Sequence, residues 1–148
     1  MVQGPPGPLQ EDTAVAREVV YGGHIGPAIA IEVTEGDDLR LTGSLTNDAA
    51  VDVIGGNFRV EGTASTVPAT GIITARNALL SFGSGLDNDG ALVIAGGVND
   101  VFGDINNTAV GRVIVSGGAT AIFYDDVNNT GNFNVSAAGL ITSIAVFF

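Results

Sequence analysis

The chain has 148 residues, enough for one domain with a sizeable core. Hydrophobic residues make up 45% and charged ones 14%, which excludes a disordered polar chain for most of the length. The formal net charge is −11, with five arginines and no lysine, so bare nucleic acid and anionic membranes are excluded as expected partners. With no cysteine, disulfides, thiolate nucleophiles and Cys-ligated metals are also excluded.

Met1 to Gln10 contains Gly4-Pro5-Pro6-Gly7-Pro8-Leu9, two Gly-X-Y triplets. That is too short for a collagen triple helix, so an extended polyproline-like segment is expected. No basic n-region or apolar h-region is present, so no signal peptide is read. The expectation is either a product not exported by the general route or a piece of a longer secreted chain. Glu11 to Val20 reads as a short helical turn or an extended segment. Tyr21 to Pro27 reads as a loop from its Gly and Pro content. Residues 1–27 are therefore expected to form an extended N-terminal arm and residues 28–148 a β-rich body.

Ala28 to Val33 alternates, with Ile29, Ile31 and Val33 on one face. Gly36-Asp37-Asp38 turns the chain into a second alternating strand, Leu39-Arg40-Leu41-Thr42. From about Ser44 the chain repeats itself roughly every twenty residues. Val53-Ile54-Gly55-Gly56 lines up with Ile94-Ala95-Gly96-Gly97, Val115-Ser116-Gly117-Gly118 and Val135-Ser136-Ala137-Ala138. A second marker is Thr46-Asn47-Asp48, Asp87-Asn88-Asp89, Asn106-Asn107-Thr108 and Asn128-Asn129-Thr130. A third is aromatic: Phe82, Phe102 and Phe123, with Ile144 in the next slot. The expected rungs are Ser44–Thr63, Ala64–Phe82, Gly83–Phe102, Gly103–Phe123 and Tyr124–Phe148, each with two or three short strands. Ala64 to Ala75, with Pro68 inside, fits this repeat poorly.

The predicted fold is all-β, a β-solenoid-like stack of short strands with an extended N-terminal arm. The alternative is a β-sandwich or jelly roll of antiparallel strands. In a stack, each Asn lies over the next and their amides can form ladders, while the Phe rings stack inside. The apolar end Ile144-Ala145-Val146-Phe147-Phe148 is expected to be buried by the chain or a neighbour.

The turns account for most residues that could carry chemistry. His24 is the only histidine, in a Gly-rich loop without a nucleophile elbow anywhere in the chain, so it reads as structural. The carboxylate pairs Asp37-Asp38, Asp87/Asp89 and Asp125-Asp126 read as turn formers. Asp87-Asn88-Asp89-Gly90 opens like an EF-hand loop, but Val98 stands where the bidentate Glu is required. Gly96-Gly97-Val98-Asn99-Asp100 departs from the calcium-binding nonapeptide at its fourth position. Sequons at Asn106, Asn128 and Asn134 arise readily in Asn-rich turns, and Thr108 and Thr130 do not form the paired ranks of an ice-binding face. No catalytic, cofactor-binding or metal-binding residue is assigned, no cofactor is expected, and the chain is read as not an enzyme. The enzymatic alternative would be a small carbohydrate-active protein using Asp125 and Asp126.

Asp87 to Gly139 resembles the Gly/Asn-rich repeats of bacterial surface adhesins and autotransporter passengers, most closely over Asp126 to Ser136. It is also similar to Gly-rich β-repeats of bacteriophage fibres and head-decoration proteins. The resemblance carries over no functional residue. A virion protein needs no secretion signal, because release is by lysis. The expected function is a non-enzymatic structural subunit of a virion: a bacteriophage decoration, cement or fibre protein. Its expected partners are copies of itself, as a trimer, and a major capsid or other structural protein reached through the arm. The alternative is a fragment of an extracellular adhesin that binds glycans or surfaces.

Overall fold

The computed structural model describes residues 16–19, 23–25, 31–34, 36–63 and 65–143. Every regular element among them is a short β-strand. The strand β1 (Ala16–Val19) precedes six rungs of three strands. The first rung is β2 (Gly23–Ile25), β3 (Ile31–Val33) and β4 (Asp38–Leu41). The second is β5 (Leu45–Asn47), β6 (Ala50–Ile54) and β7 (Asn57–Val60). The third is β8 (Ser65–Val67), β9 (Ile72–Arg76) and β10 (Leu79–Phe82). The fourth is β11 (Leu86–Asn88), β12 (Ala91–Ile94) and β13 (Val98–Phe102). The fifth is β14 (Ile105–Asn107), β15 (Arg112–Val115) and β16 (Thr120–Phe123). The last is β17 (Val127–Asn129), β18 (Asn132–Val135) and β19 (Leu140–Ser143).

Strands in the same place of successive rungs pair in parallel, which builds three sheets along one axis. The first sheet runs β1-β4-β7-β10-β13-β16-β19, the second β2 through β17, and the third β3 through β18. This is a β-solenoid. The antiparallel sandwich is excluded, because all pairings are parallel, among them Leu79↔Asn57, Asn88↔Asn107 and Val93↔Ile114.

The beat and the register agree because each rung must return the chain to the same sheet. From Asn88 to Asn107 that return takes 19 residues, and from Asn107 to Asn129 it takes 22. Alternation then decides what is inside. In β9, Ile73 and Ala75 are buried while Ile72 and Arg76 face out. The core is a column of such residues enclosed by the three sheets, with Phe58, Phe82 and Phe123 fully buried. Phe58 and Phe82 meet edge-on with centroids 6.4 Å apart, and Phe123 meets Phe133 at 6.1 Å.

Four expectations change. The Tyr21–Pro27 loop contains β2, whose backbone pairs with β5; in Glu11–Val20 the extended alternative holds over Ala16–Val19, the strand β1. The repeat begins ahead of Ser44, since β2, β3 and β4 already form a rung. That rung lacks the Gly-Gly marker, and the turn at Gly36-Asp37 takes its place, with the Asp37 N–H donating to the Thr34 carbonyl at 3.0 Å. The Ala64–Ala75 stretch fits the stack over its described residues 65–75, as β8 and most of β9, because Pro68 lies in the turn between them. There its missing N–H costs no ladder bond, and its carbonyl accepts from the Gly71 N–H at 2.8 Å. Finally, Phe102 is not inside. In β13 the inward residues are Asn99 and Val101, so Phe102 points outward and stacks on Tyr124, with centroids 4.2 Å apart and planes 7° apart.

The long interval between the Gly-Gly pairs at 56 and 97 is filled by Asn77, which takes a left-handed φ of 51° as asparagine can. In the last rung the corner is Ala137-Ala138, with φ of 50° and 62°. A Cβ in that region costs about 1–2 kcal/mol. Ala138→Gly is therefore expected to raise the unfolding free energy in urea by about 0.5–1 kcal/mol, after the greater unfolded-state freedom of glycine is discounted.

Candidate functional site

Of the acidic residues that sequence reading takes as turn formers, Asp37, Asp89, Asp125 and Asp126 lie between strands, whereas Asp38 begins β4 and Asp87 lies within β11. Asp37 accepts from the Thr34 hydroxyl at 2.7 Å, and Asp38 lies 3.5 Å from the Arg59 guanidinium. Asp87 accepts from the Asn106 amide at 2.8 Å, and Asp89 from the Thr108 hydroxyl. Asp125 accepts from the Gly103 N–H at 2.7 Å, while the N–H of Asp126 donates to Asp104 at 3.2 Å. His24 lies in β2 opposite Thr46. Among the described residues, no group of three or more His, Asp or Glu side chains converges as a metal site.

What the stack does organise is amides. In the second sheet Asn88, Asn107 and Asn129 share an inward column. The Asn88 amide donates to the Asn107 carbonyl oxygen at 2.7 Å, and Asn107 repeats this to Asn129 at 2.7 Å. Each also donates across the corner to the next rung, Asn88 to the Arg112 carbonyl at 3.0 Å and Asn107 to that of Asn132 at 3.2 Å. The ladder breaks upward at Val67, which occupies the slot above Asn88. Asn47 then donates to the Ile72 carbonyl alone, and Asn88 Oδ1 is left buried without a partner. Close approach at this corner demands glycine. A Cβ on Gly111 would lie 2.0 Å from the Asn88 carbonyl oxygen.

Two surfaces stand out from this regular body. One is the open end of the stack. Val113, Val115 and Ala121 are fully buried, whereas of the residues stacked on them Phe133 and Ile141 are half-buried and Val135 is exposed. Val135 is 43% exposed, and neighbouring Leu140 is 56% exposed. Ile144–Phe148, expected to be buried, lies outside the described residues.

The other is a groove of about 400 Å³ where the first sheet turns into the second. Its lining includes Ser81, Ser84, Phe102, Gly103, Asp104 and Asp125. It depends on Phe102 standing outward, a register that the aromatic beat does not reveal. In the same outward row, Arg40 and Arg59 are stacked like charges, set between the carboxylates of Glu61 and Asp38. The Arg40 guanidinium, hydrogen-bonded to Glu61, holds that carboxyl below its ordinary range. Farther along, the Tyr124 hydroxyl donates to Asp100 at 2.9 Å, and this bond to a carboxylate pushes the phenol above its usual value.

No family model, no curated protein and no solved structure matches this chain.

Proposed function

We propose that the chain is a non-enzymatic structural subunit of an assembled particle, of the kind used as a bacteriophage decoration, cement or fibre protein. The observation that carries this reading is the exposure of Val135 and Leu140 in the last described rung. Columns that are buried through the body end in Val135 and Ile141, beside edges of β17, β18 and β19 with which no further described strand pairs. An edge of three parallel strands with apolar residues along it is a template for another chain. The acidic composition keeps the remaining surface soluble and selects against polyanionic partners. Copies of this chain, in a trimer or another closed arrangement, and a basic structural protein are the proposed partners. The stretch ahead of β1 is the proposed docking arm.

Deleting residues 2–15 and, separately, changing Val135→Lys test the two contacts. Each is expected to lower the assembled mass by sedimentation velocity while the far-ultraviolet β spectrum is retained. An assembled mass unchanged by both variants would sink the reading.

A further inference from the structure

We infer that the groove beside Phe102 is a docking site for an arginine side chain of a basic partner protein. The register creates it. In the outward row of the first sheet, Ser81 pairs with Phe102, and Phe102 stacks on Tyr124. Tyr124 covers one face of the ring. Ser81 ends at its hydroxyl, so the other face looks over an open step in the row. Neighbouring parallel strands lie about 4.8 Å apart, so a missing side chain in one rung leaves room for one planar group about 3.5 Å thick.

The rim of the step is negative. Asp104 and Asp125 line it, and among the described residues no arginine does. Each carboxylate spends one oxygen on the backbone: Asp125 Oδ2 accepts from the Gly103 N–H, and Asp104 Oδ1 from that of Asp126. These bonds fix the carboxylates and leave Asp125 Oδ1 and Asp104 Oδ2 for a ligand. Arg59, one rung beyond Ser81, is turned to Asp38 at 3.5 Å, so its charge is balanced there.

An aromatic face, two positioned carboxylates and a chain of net charge −11 call for a flat cation. Guanidinium meets all three demands. It is planar, it stacks on aromatic rings, and it presents several N–H donors to carboxylates. Ser81 and Ser84 can accept its remaining N–H groups. Ammonium offers no plane to stack, and an anion is repelled. The site goes beyond the proposed assembly and rests on it only in drawing the arginine from a protein.

The test is an amide-shift titration of the full-length ¹⁵N-labelled chain with acetyl-Gly-Arg-Gly-amide. Controls replace Arg by Lys or by citrulline, which keeps the shape without the charge. The Arg peptide is expected to move the amides of Gly83, Gly85 and Gly103 saturably and to bind at least about tenfold more tightly than the citrulline peptide. Phe102→Leu should weaken it severalfold. Ser81→Phe, which fills the step and continues the ring stack, should abolish it without lowering the melting temperature. Equal binding of the Arg and citrulline peptides, shifts that persist in Ser81→Phe, or no saturable shift overturns the inference. So do shifts at these amides given by maltotriose and not by the Arg peptide, which would make the groove a neutral-sugar site. Oligomer mass, measured on the same samples, separates this result from the assembly reading. A chain that assembles without binding the peptide refutes the groove alone, and a monomer that binds it refutes the assembly alone.

Discussion

Phe82→Ala lowers the unfolding free energy by about 4 kcal/mol, whereas Phe102→Ala costs about 1 kcal/mol or less. The two residues occupy equivalent slots of the aromatic beat, so the contrast measures the register itself. Phe82 is fully buried between the sheets, in edge contact with Phe58. Its removal leaves a cavity that parallel strands pinned on both sides cannot close. Phe102 is half-buried on the outer face, and its loss forfeits mainly the stack on Tyr124. Urea titration of both variants checks this. Equal costs would mean that Phe102 also points inward.

The second large effect is at the amide ladder. Asn107→Ala is expected to cost about 3 kcal/mol, against less than about 0.5 kcal/mol for Asn128→Ala one column outward. Asn107 is fully buried and makes three side-chain bonds, accepting from Asn88 and donating to Asn129 and the Asn132 carbonyl. Alanine removes all three, and water cannot replace the donor to Asn129 and Asn132 in a dry corner. Asn128 is exposed, with one long contact of 3.4 Å to Asn106. Thermal unfolding of the two variants distinguishes them. Similar melting temperatures would show that the inner column is not a cooperative ladder.

The sequence makes the Asn column legible because its markers recur as short polar triplets, and only stacking puts Asn88, Asn107 and Asn129 in one line. The Gly-Gly corners are legible for the same reason. They need left-handed backbone, which the structure shows at Gly117 and Gly118 with φ of 64° and 71°. Phe102 is misplaced by the beat because β13 buries Asn99, a polar residue in a core position. That burial is satisfied locally: the Asn99 amide donates to the Gly96 and Gly97 carbonyls, and its oxygen accepts from the Ala78 N–H. Polarity therefore gives the wrong phase for that strand. The first rung escapes notice because Ile25 stands in the Asn column and the Gly36-Asp37 turn replaces the Gly-Gly corner. The groove is invisible in sequence, since Ser81 and Phe102 become neighbours only through register.

Several carboxylates serve as links between rungs, two of them at the groove. Asp87, Asp104 and Asp125 each accept a hydrogen bond from another rung, so they lock one corner to the next. Charges used this way leave an acidic stack of rungs whose distinctive surfaces are its last described rung and its groove. Light scattering coupled to size exclusion, at micromolar concentration of the full chain, tests the central claim most directly. A discrete mass of two or more whole multiples of 14.9 kDa is expected. A single species at 14.9 kDa across the concentration range contradicts it.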